Sequence, residues 1–112
     1  MPLPSYAQGE DEHVRACVAE LARLIKTRFI AADFPEVLRD AGVGGVVSMQ
    51  LTVARNGTVS GWAVTRGSGN GALDDTALRL VHRLFPNGSS APLDCRVGAE
   101  LTVGLPLKFS VR

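Results

Sequence analysis

Residues 45–84, GVVSMQLTVARNGTVSGWAVTRGSGNGALDDTALRLVHRL, decide the fold of this chain. Apolar and polar residues alternate up to Ala54, and a second extended run follows the pair Asn56-Gly57. From Gly71 the apolar residues recur every three to four positions instead. A period of two indicates a strand, and a period near 3.6 indicates an amphipathic helix. The stretch therefore predicts a strand over 46–54, a strand over 58–65 and a helix ending at Leu84.

The first of these strands has one apolar and one polar face. Its apolar positions are Val47, Met49, Leu51 and Val53, a pattern typical of an antiparallel sheet packed on one side. Asn56-Gly57 predicts a type I′ turn with two positive φ values. In the second strand Val59, Trp62 and Val64 do not share one alternation, and a β-bulge near Ser60-Gly61 would restore the register. Trp62 is then either a core residue or an exposed binding aromatic.

The flanking segments complete an α+β domain. Residues 1–10 are predicted to be a flexible tail, and residues 11–112 one domain. An apolar stripe predicts a first helix from Asp11, with Asp11 and Glu12 at its N-terminus and Lys26 and Arg28 near its end. A short helical turn over 36–40 follows Pro35. The last strand, over 100–111, contains Pro106 and is therefore expected at a sheet edge. The predicted fold is a two-layer α-β-β-α-β arrangement, a three-stranded antiparallel sheet with two helices on one face and the third strand beside the first.

Composition excludes several classes of function. The 112 residues include 12 basic and 11 acidic ones, without a basic cluster, so nucleic acid is not expected as a partner. No apolar run reaches the length of about 18 residues that a membrane span needs.

No candidate site suggests catalysis, a cofactor or a metal. The glycines of 67–71 lack the Lys-Ser/Thr of a phosphate loop, so we expect a turn that caps the following helix. Asp74 and Asp75 are adjacent and diverge on a helix, while His13 and His82 stand alone. We therefore expect no enzyme, no cofactor and no metal site.

Cys17 and Cys95 are the two cysteines. They show no metal-ligand spacing. In an exported protein they would form one disulfide, which joins the first helix to the segment before the last strand. The alternative is a pair of reduced thiols, with Cys17 buried as a small apolar residue.

Several short motifs resemble the C-terminal domain family of TonB-type energy transducers. They are Phe34-Pro35, Gly44-Gly45-Val46, Asn56-Gly57, Ser68-Gly69, Leu73-Asp74, Ala77-Leu78 and the run from Leu105 to Phe109. The resemblance covers about residues 11–112. It implies a periplasmic, non-catalytic protein-interaction domain of the cell envelope that takes part in energy-coupled transport.

The resemblance also implies a site. Such domains bind an extended segment of an outer-membrane transporter along the last strand, which agrees with the edge position that Pro106 predicts. The expected partner-binding residues are Leu101, Thr102, Val103, Gly104, Leu105, Leu107, Lys108 and Phe109. Strand addition would use their backbone, and the same open edge could pair with a second copy as a homodimer.

The chain also departs from the family pattern. A membrane anchor and a Pro-rich spacer are missing from the sequence, so the chain is either an excised domain or a free-standing relative without energy transduction. The paired cysteines are more similar to the related TolA C-terminal domain. A TolA-like envelope scaffold is therefore the alternative interpretation.

Overall fold

A computed structural model describes residues 6–111 of the chain, with side chains from Glu12 onward. Two long helices cover one face of a three-stranded sheet whose order is β2-β1-β3, and both neighbouring pairs are antiparallel. The predicted fold class is confirmed. The elements in chain order are α1 (Tyr6–Arg28), α2 (Glu36–Asp40), β1 (Gly45–Val53), β2 (Val59–Arg66), α3 (Gly71–Leu84) and β3 (Leu101–Phe109), with short 3₁₀ turns at Ala31–Asp33 and Leu93–Cys95.

The central strand β1 carries the middle of the core. Its four predicted apolar positions are fully buried, while Ser48, Gln50 and Thr52 lie half-buried on the opposite face. Cys17, Leu21 and Ile25 of α1 are buried in the same core. Each apolar side chain of this size contributes about 1.5–3 kcal/mol when it is removed from water. The one-sided pattern in the sequence thus follows from helices on one face of the sheet only.

The hairpin between β1 and β2 differs from the prediction. Gly57 has a φ of 88°, but no described residue other than glycine has a positive φ, so Asn56 does not occupy a type I′ turn. The Gly57 N–H donates to the Ala54 carbonyl at 2.9 Å, which makes a type I turn closed by glycine. Asn56 acts through its side chain instead, because its Oδ1 accepts the Thr58 N–H at 3.1 Å.

The predicted β-bulge in β2 is confirmed. Thr52 lies opposite Gly61 and Val53 lies opposite Val59, which leaves Ser60 as the extra residue. Val59 and Trp62 consequently face the same side, and Trp62 is buried against Phe85 with ring centroids 6.0 Å apart. Of the two alternatives for Trp62, a core residue or an exposed binding aromatic, the structure shows the first.

Helix α1 begins earlier than predicted. Its first residue is Tyr6, so the expected start at Asp11 is five residues late, and Asp11 and Glu12 lie beyond the first turn. Lys26 and Arg28 do lie in the last turn, as predicted. The remaining part of the predicted tail, residues 1–5, lies outside the described residues, as does residue 112.

Candidate partner-binding site

The last strand forms an open edge of the sheet. β3 pairs with β1 over nine consecutive positions, from Gly45 opposite Phe109 to Val53 opposite Leu101, without a shift in register. Its buried side chains are Val103, Leu105, Leu107 and Phe109, and its exposed ones are Thr102, Gly104, Pro106 and Lys108. All the residues predicted to bind a partner thus lie on this one strand. Their role in binding stays a prediction.

Proline 106 fits this edge because its backbone points away from β1. It lies opposite Ser48, whose carbonyl oxygen accepts the Thr65 hydroxyl of β2 at 3.2 Å. The carbonyl of Ser48 therefore faces β2, and the Ser48–Pro106 pair exchanges no ladder hydrogen bonds. By the same alternation the N–H groups of Thr102, Gly104 and Lys108 point outward. Among residues 6–111, no backbone group of β3 bonds to a loop or turn.

The opposite edge of the sheet, strand β2, is covered at its first residue and irregular beyond it. The Val59 N–H donates to the Ser89 carbonyl at 2.8 Å, and the Gly88 N–H donates to the Val59 carbonyl at 2.7 Å. The extra residue Ser60 and a second register shift at Thr65 make the rest of that edge irregular. Bulges and covering loops are the usual ways to prevent edge pairing. The two edges therefore differ, and the regular, uncovered one is β3.

An apolar groove runs along the helix side of the β3 edge. Its volume is about 350 Å³, and it is bounded by Leu105–Phe109 on the strand and by Ala22, Ile25, Lys26 and Phe29 on and just after α1, with Leu80 from α3. Phe29 is 39% exposed, although it is a large aromatic residue. This wall of the groove is not predicted from the sequence. The available signal was Phe29, the last position of the apolar stripe of α1.

Arg83 of α3 fixes the turn that follows α1. Its guanidinium makes a two-pronged contact with the Asp33 carboxylate, with Nε 2.9 Å from Oδ1, and its Nη2 also donates to the Arg28 carbonyl at 3.0 Å. The Ile30 N–H donates to the same carboxylate at 2.8 Å. Partial burial on its own would raise the pKa of Asp33, but these hydrogen bonds and the charge of Arg83 outweigh it and lower that pKa below its usual value of 3.8. Phe29 lies between Arg28 and Ile30, so these contacts hold its backbone on both sides.

A disulfide fixes the other half of α1. Cys17 and Cys95 are bonded, with their Cα atoms 4.6 Å apart, and both are fully buried. Next to this bond the carboxylate of Glu20 accepts the Asp94 N–H at 2.8 Å. Helix α1 is thereby tied to the segment that leads directly into β3.

The glycine-rich connector binds a carboxylate of its own chain. The Oδ1 of Asp74 accepts the Ser68 N–H at 2.9 Å and the Ser68 hydroxyl at 2.8 Å, and Asn70 caps α3 by accepting the Leu73 N–H at 3.1 Å. The predicted capping turn is confirmed. The Ser68 N–H is therefore already paired within the chain.

Comparisons with known proteins agree with this architecture. Residues 31–109 match the family described as the Gram-negative bacterial TonB protein C-terminal. The chain belongs to that family. TonB C-terminal domains are periplasmic protein-interaction domains of the Gram-negative envelope.

Solved structures of such domains are similar in fold. A solution structure of the Helicobacter pylori TonB C-terminal domain aligns with a TM-score of 0.70 at 16% identity, over 100% of this chain and 97% of that one. A second structure of the same domain gives a TM-score of 0.60 at 17% identity, over 86% and 95%. The C-terminal domain of HasB aligns with a TM-score of 0.51 at 28% identity, over 98% and 79%. Among curated proteins no significant match is found.

Within the part of the chain that the structure describes, no helix has the length and apolar character to cross a bilayer.

Proposed function

We propose that this chain is a non-catalytic periplasmic domain that binds an extended segment of an outer-membrane transporter, or of another envelope protein, as a fourth strand beside β3. The observation that carries the proposal is the contrast between the two sheet edges. β2 is covered by a loop at Val59 and bulged at Ser60 and Thr65, whereas β3 pairs in regular register over nine residues and has no loop bonded to it in the described part of the chain.

Strand addition would use main-chain groups of β3. The outward N–H groups of Thr102, Gly104 and Lys108 donate, and the carbonyls on the same side accept, which gives affinity without requiring a particular partner sequence. Pro106 interrupts this row of donors once. Membership in the TonB C-terminal family supports a protein partner and the periplasmic location.

Two other kinds of binding are compatible with this domain. Two copies could pair through their β3 edges, which would compete with a partner segment. A TolA-like scaffold that binds a folded partner is the alternative function, and the Cys17–Cys95 disulfide is the observation that favours it.

An NMR titration with an extended peptide from a transporter tests the proposal. We expect amide shifts along Leu101–Phe109 and little change along β2. The Gly104→Pro variant removes one outward donor and should weaken binding about tenfold, the upper range for one hydrogen bond. Gly104→Ala is the matched control. A Cβ at this position meets nothing closer than the Met49 carbonyl at 3.9 Å, and the N–H is kept.

The results separate the candidate functions. If millimolar peptide causes no amide shifts in β3, the strand-addition proposal is wrong. Shifts that occur only with a whole folded domain would favour the scaffold. Equal affinities of Gly104→Pro and Gly104→Ala would show that the outward N–H groups do not take part.

A further inference from the structure

Every asparagine of this chain is followed by glycine, in the pairs Asn56-Gly57, Asn70-Gly71 and Asn87-Gly88. Such a pair is chemically labile, because the backbone nitrogen of the glycine can attack the side-chain amide carbon of the asparagine. Glycine favours this ring closure, since it has no side chain to block the approach of its nitrogen. In an unfolded chain the pairs should react at similar rates, so the fold decides which of them is modified.

Asn56 is held by hydrogen bonds on both reacting groups. Its Oδ1 accepts the Thr58 N–H at 3.1 Å and the Thr58 hydroxyl at 2.7 Å. The attacking group, the Gly57 N–H, donates to the Ala54 carbonyl at 2.9 Å, and Gly57 is buried. All these bonds must break before the ring can close, so the fold protects Asn56.

Asn70 is held as the N-cap of α3. Its Oδ1 accepts the Leu73 N–H at 3.1 Å, and its own N–H donates to the Ser68 hydroxyl at 3.1 Å. Its carbonyl accepts the Asp74 N–H, also at 3.1 Å. Rotation of the side chain toward the nitrogen of Gly71 would remove the cap, which opposes the reaction because caps of this kind stabilise helices.

Asn87 is held much less. Its side chain is exposed, and within residues 12–111 it makes no hydrogen bond. Asn87 and Gly88 are the central residues of a type II turn, in which Gly88 has a φ of 85°. The Ser89 N–H closes this turn by donating to the Pro86 carbonyl at 3.0 Å. The attacking Gly88 N–H makes one bond, to the Val59 carbonyl at 2.7 Å, so a single hydrogen bond opposes the attack.

We propose that Asn87 is a modification site of this domain, at which the side-chain amide is lost and aspartate or isoaspartate is formed. A bond forms between the Gly88 nitrogen and Cγ of Asn87, the bond from Cγ to Nδ2 breaks, and ammonia leaves with the proton of the Gly88 N–H. Water, the co-reactant, then opens the cyclic imide. Cleavage of the new bond to Cγ gives aspartate. Cleavage of the original peptide bond gives isoaspartate, whose backbone is one carbon atom longer.

The hydrogen bonds that must open set the order of reaction. Bonds between a surface loop and the start of an edge strand open without unfolding of the sheet. Asn56 requires two more broken bonds than Asn87, and Asn70 requires loss of a helix cap. Each such bond lowers the population of the open form by about two- to tenfold. Asn87 should therefore react about tenfold faster than either of the others.

The modification also alters the loop that covers β2. The Gly88 N–H and the Ser89 carbonyl bond to the two backbone groups of Val59. An additional carbon atom between Asn87 and Gly88 shifts both partners along the chain, so isoaspartate should release Val59, whereas aspartate keeps the backbone unchanged. The released residue would present an unpaired N–H and C=O at the sheet edge.

Peptide mapping by mass spectrometry tests the order of reaction. The oxidised chain is incubated at mildly alkaline pH, either folded or in guanidinium chloride. In the folded chain, the peptide that contains Asn87 should gain about 1 Da at least about tenfold faster than the peptides of Asn56 and Asn70. In denaturant the three rates should be similar. Asn87→Gln is the matched control, because its longer side chain would have to form a six-membered ring and should remain unmodified.

Hydrogen exchange followed by NMR tests the effect on β2. In the isoaspartate form, separated by chromatography, the Val59 amide should exchange at least about tenfold faster than in the unmodified chain, while the amides of β1 should not change. Asn87→Asp carries the same charge on a normal backbone and should exchange like the unmodified chain.

Two results would contradict the proposal. If Asn87 reacts no faster than Asn56 and Asn70 in the folded chain, the assigned site is wrong. If the isoaspartate form and Asn87→Asp show the same exchange at Val59, the loop keeps its bonds and the inferred effect on β2 is wrong.

Discussion

Breaking the Cys17–Cys95 disulfide should remove a large part of the stability of this domain. The bond joins residues 78 positions apart. In the chain-entropy model a cross-link over a loop of this size destabilises the unfolded state by about 4.5 kcal/mol at 25 °C. Domains of this kind have free energies of unfolding of about 5–15 kcal/mol. The reduced protein should therefore keep its fold at room temperature with a much smaller margin.

The same value predicts a shift in melting temperature. With about 2.1 cal/mol/K of unfolding entropy per residue, 112 residues give about 235 cal/mol/K. A loss of 4.5 kcal/mol then corresponds to a decrease of about 19 °C. Thermal unfolding followed by circular dichroism, with and without a phosphine reductant, measures it. The double variant Cys17→Ala/Cys95→Ala is the control, because it is insensitive to the reductant.

Urea unfolding gives an independent check. The reduced chain should show a larger denaturant slope, since its unfolded state exposes more surface than the cross-linked one. A melting shift below about 5 °C, in a reduced protein whose NMR spectrum remains native, would refute the entropic argument. In that case residual structure in the reduced unfolded chain would already bring the two ends together.

Three further predictions concern the turns and caps. Asp33→Asn should destabilise the domain at neutral pH. The pKa of Asp33 is lower in the folded state than its ordinary value of 3.8, so the charged carboxylate stabilises the fold above pH 3.8. This stabilisation is lost as the pH falls through the folded-state pKa. Urea unfolding at pH 7 and pH 3 should show the difference from wild type shrinking in acid. Asn70→Ala should cost about 1 kcal/mol by removing the cap of α3, while Asn70→Ser retains an acceptor and should recover most of it. Gly57→Ala should lower the free energy of unfolding by about 1–2 kcal/mol, because φ is 88° and the new Cβ would lie 2.8 Å from the Arg96 side chain. The control is Gly71→Ala, in open space at the start of α3, which should be neutral or stabilising.

Local patterns in the sequence predict most of the sheet. The alternation in β1 shows which of its side chains are buried, and Pro106 shows where β3 lacks a backbone donor. Together they place β1 in the centre of the sheet and β3 at an edge. The Ser60 bulge was also predictable, because Val59 and Trp62 cannot otherwise share a face. The turn at Gly57 was mispredicted because Asn56-Gly57 suits two kinds of turn. The choice depends on whether the loop has two or three residues.

The helix start and the groove needed the three-dimensional structure. Tyr6 to Glu10 carry no strong apolar period, so the pattern suggested a later start at Asp11. The edge strand was visible in the sequence, but the wall opposite it was not. Which face of α1 lies beside β3 depends on how the helix packs against the sheet. In the sequence alone, Phe29 cannot be distinguished from the last core position of the apolar stripe of α1.

The disulfide also determines how a mechanical load would travel through the domain. Without it, the covalent path from Cys17 of α1 to Leu101 of β3 follows the chain through both other strands and α3. With it, the path runs from Cys17 to Cys95 and reaches β3 six residues later. The force then bypasses the residues between the two cysteines. At about 3.5 Å per residue, on the order of 270 Å of chain cannot be extended while the disulfide is intact. Tension applied through α1 would reach the open strand while the rest of the sheet lies outside the line of force.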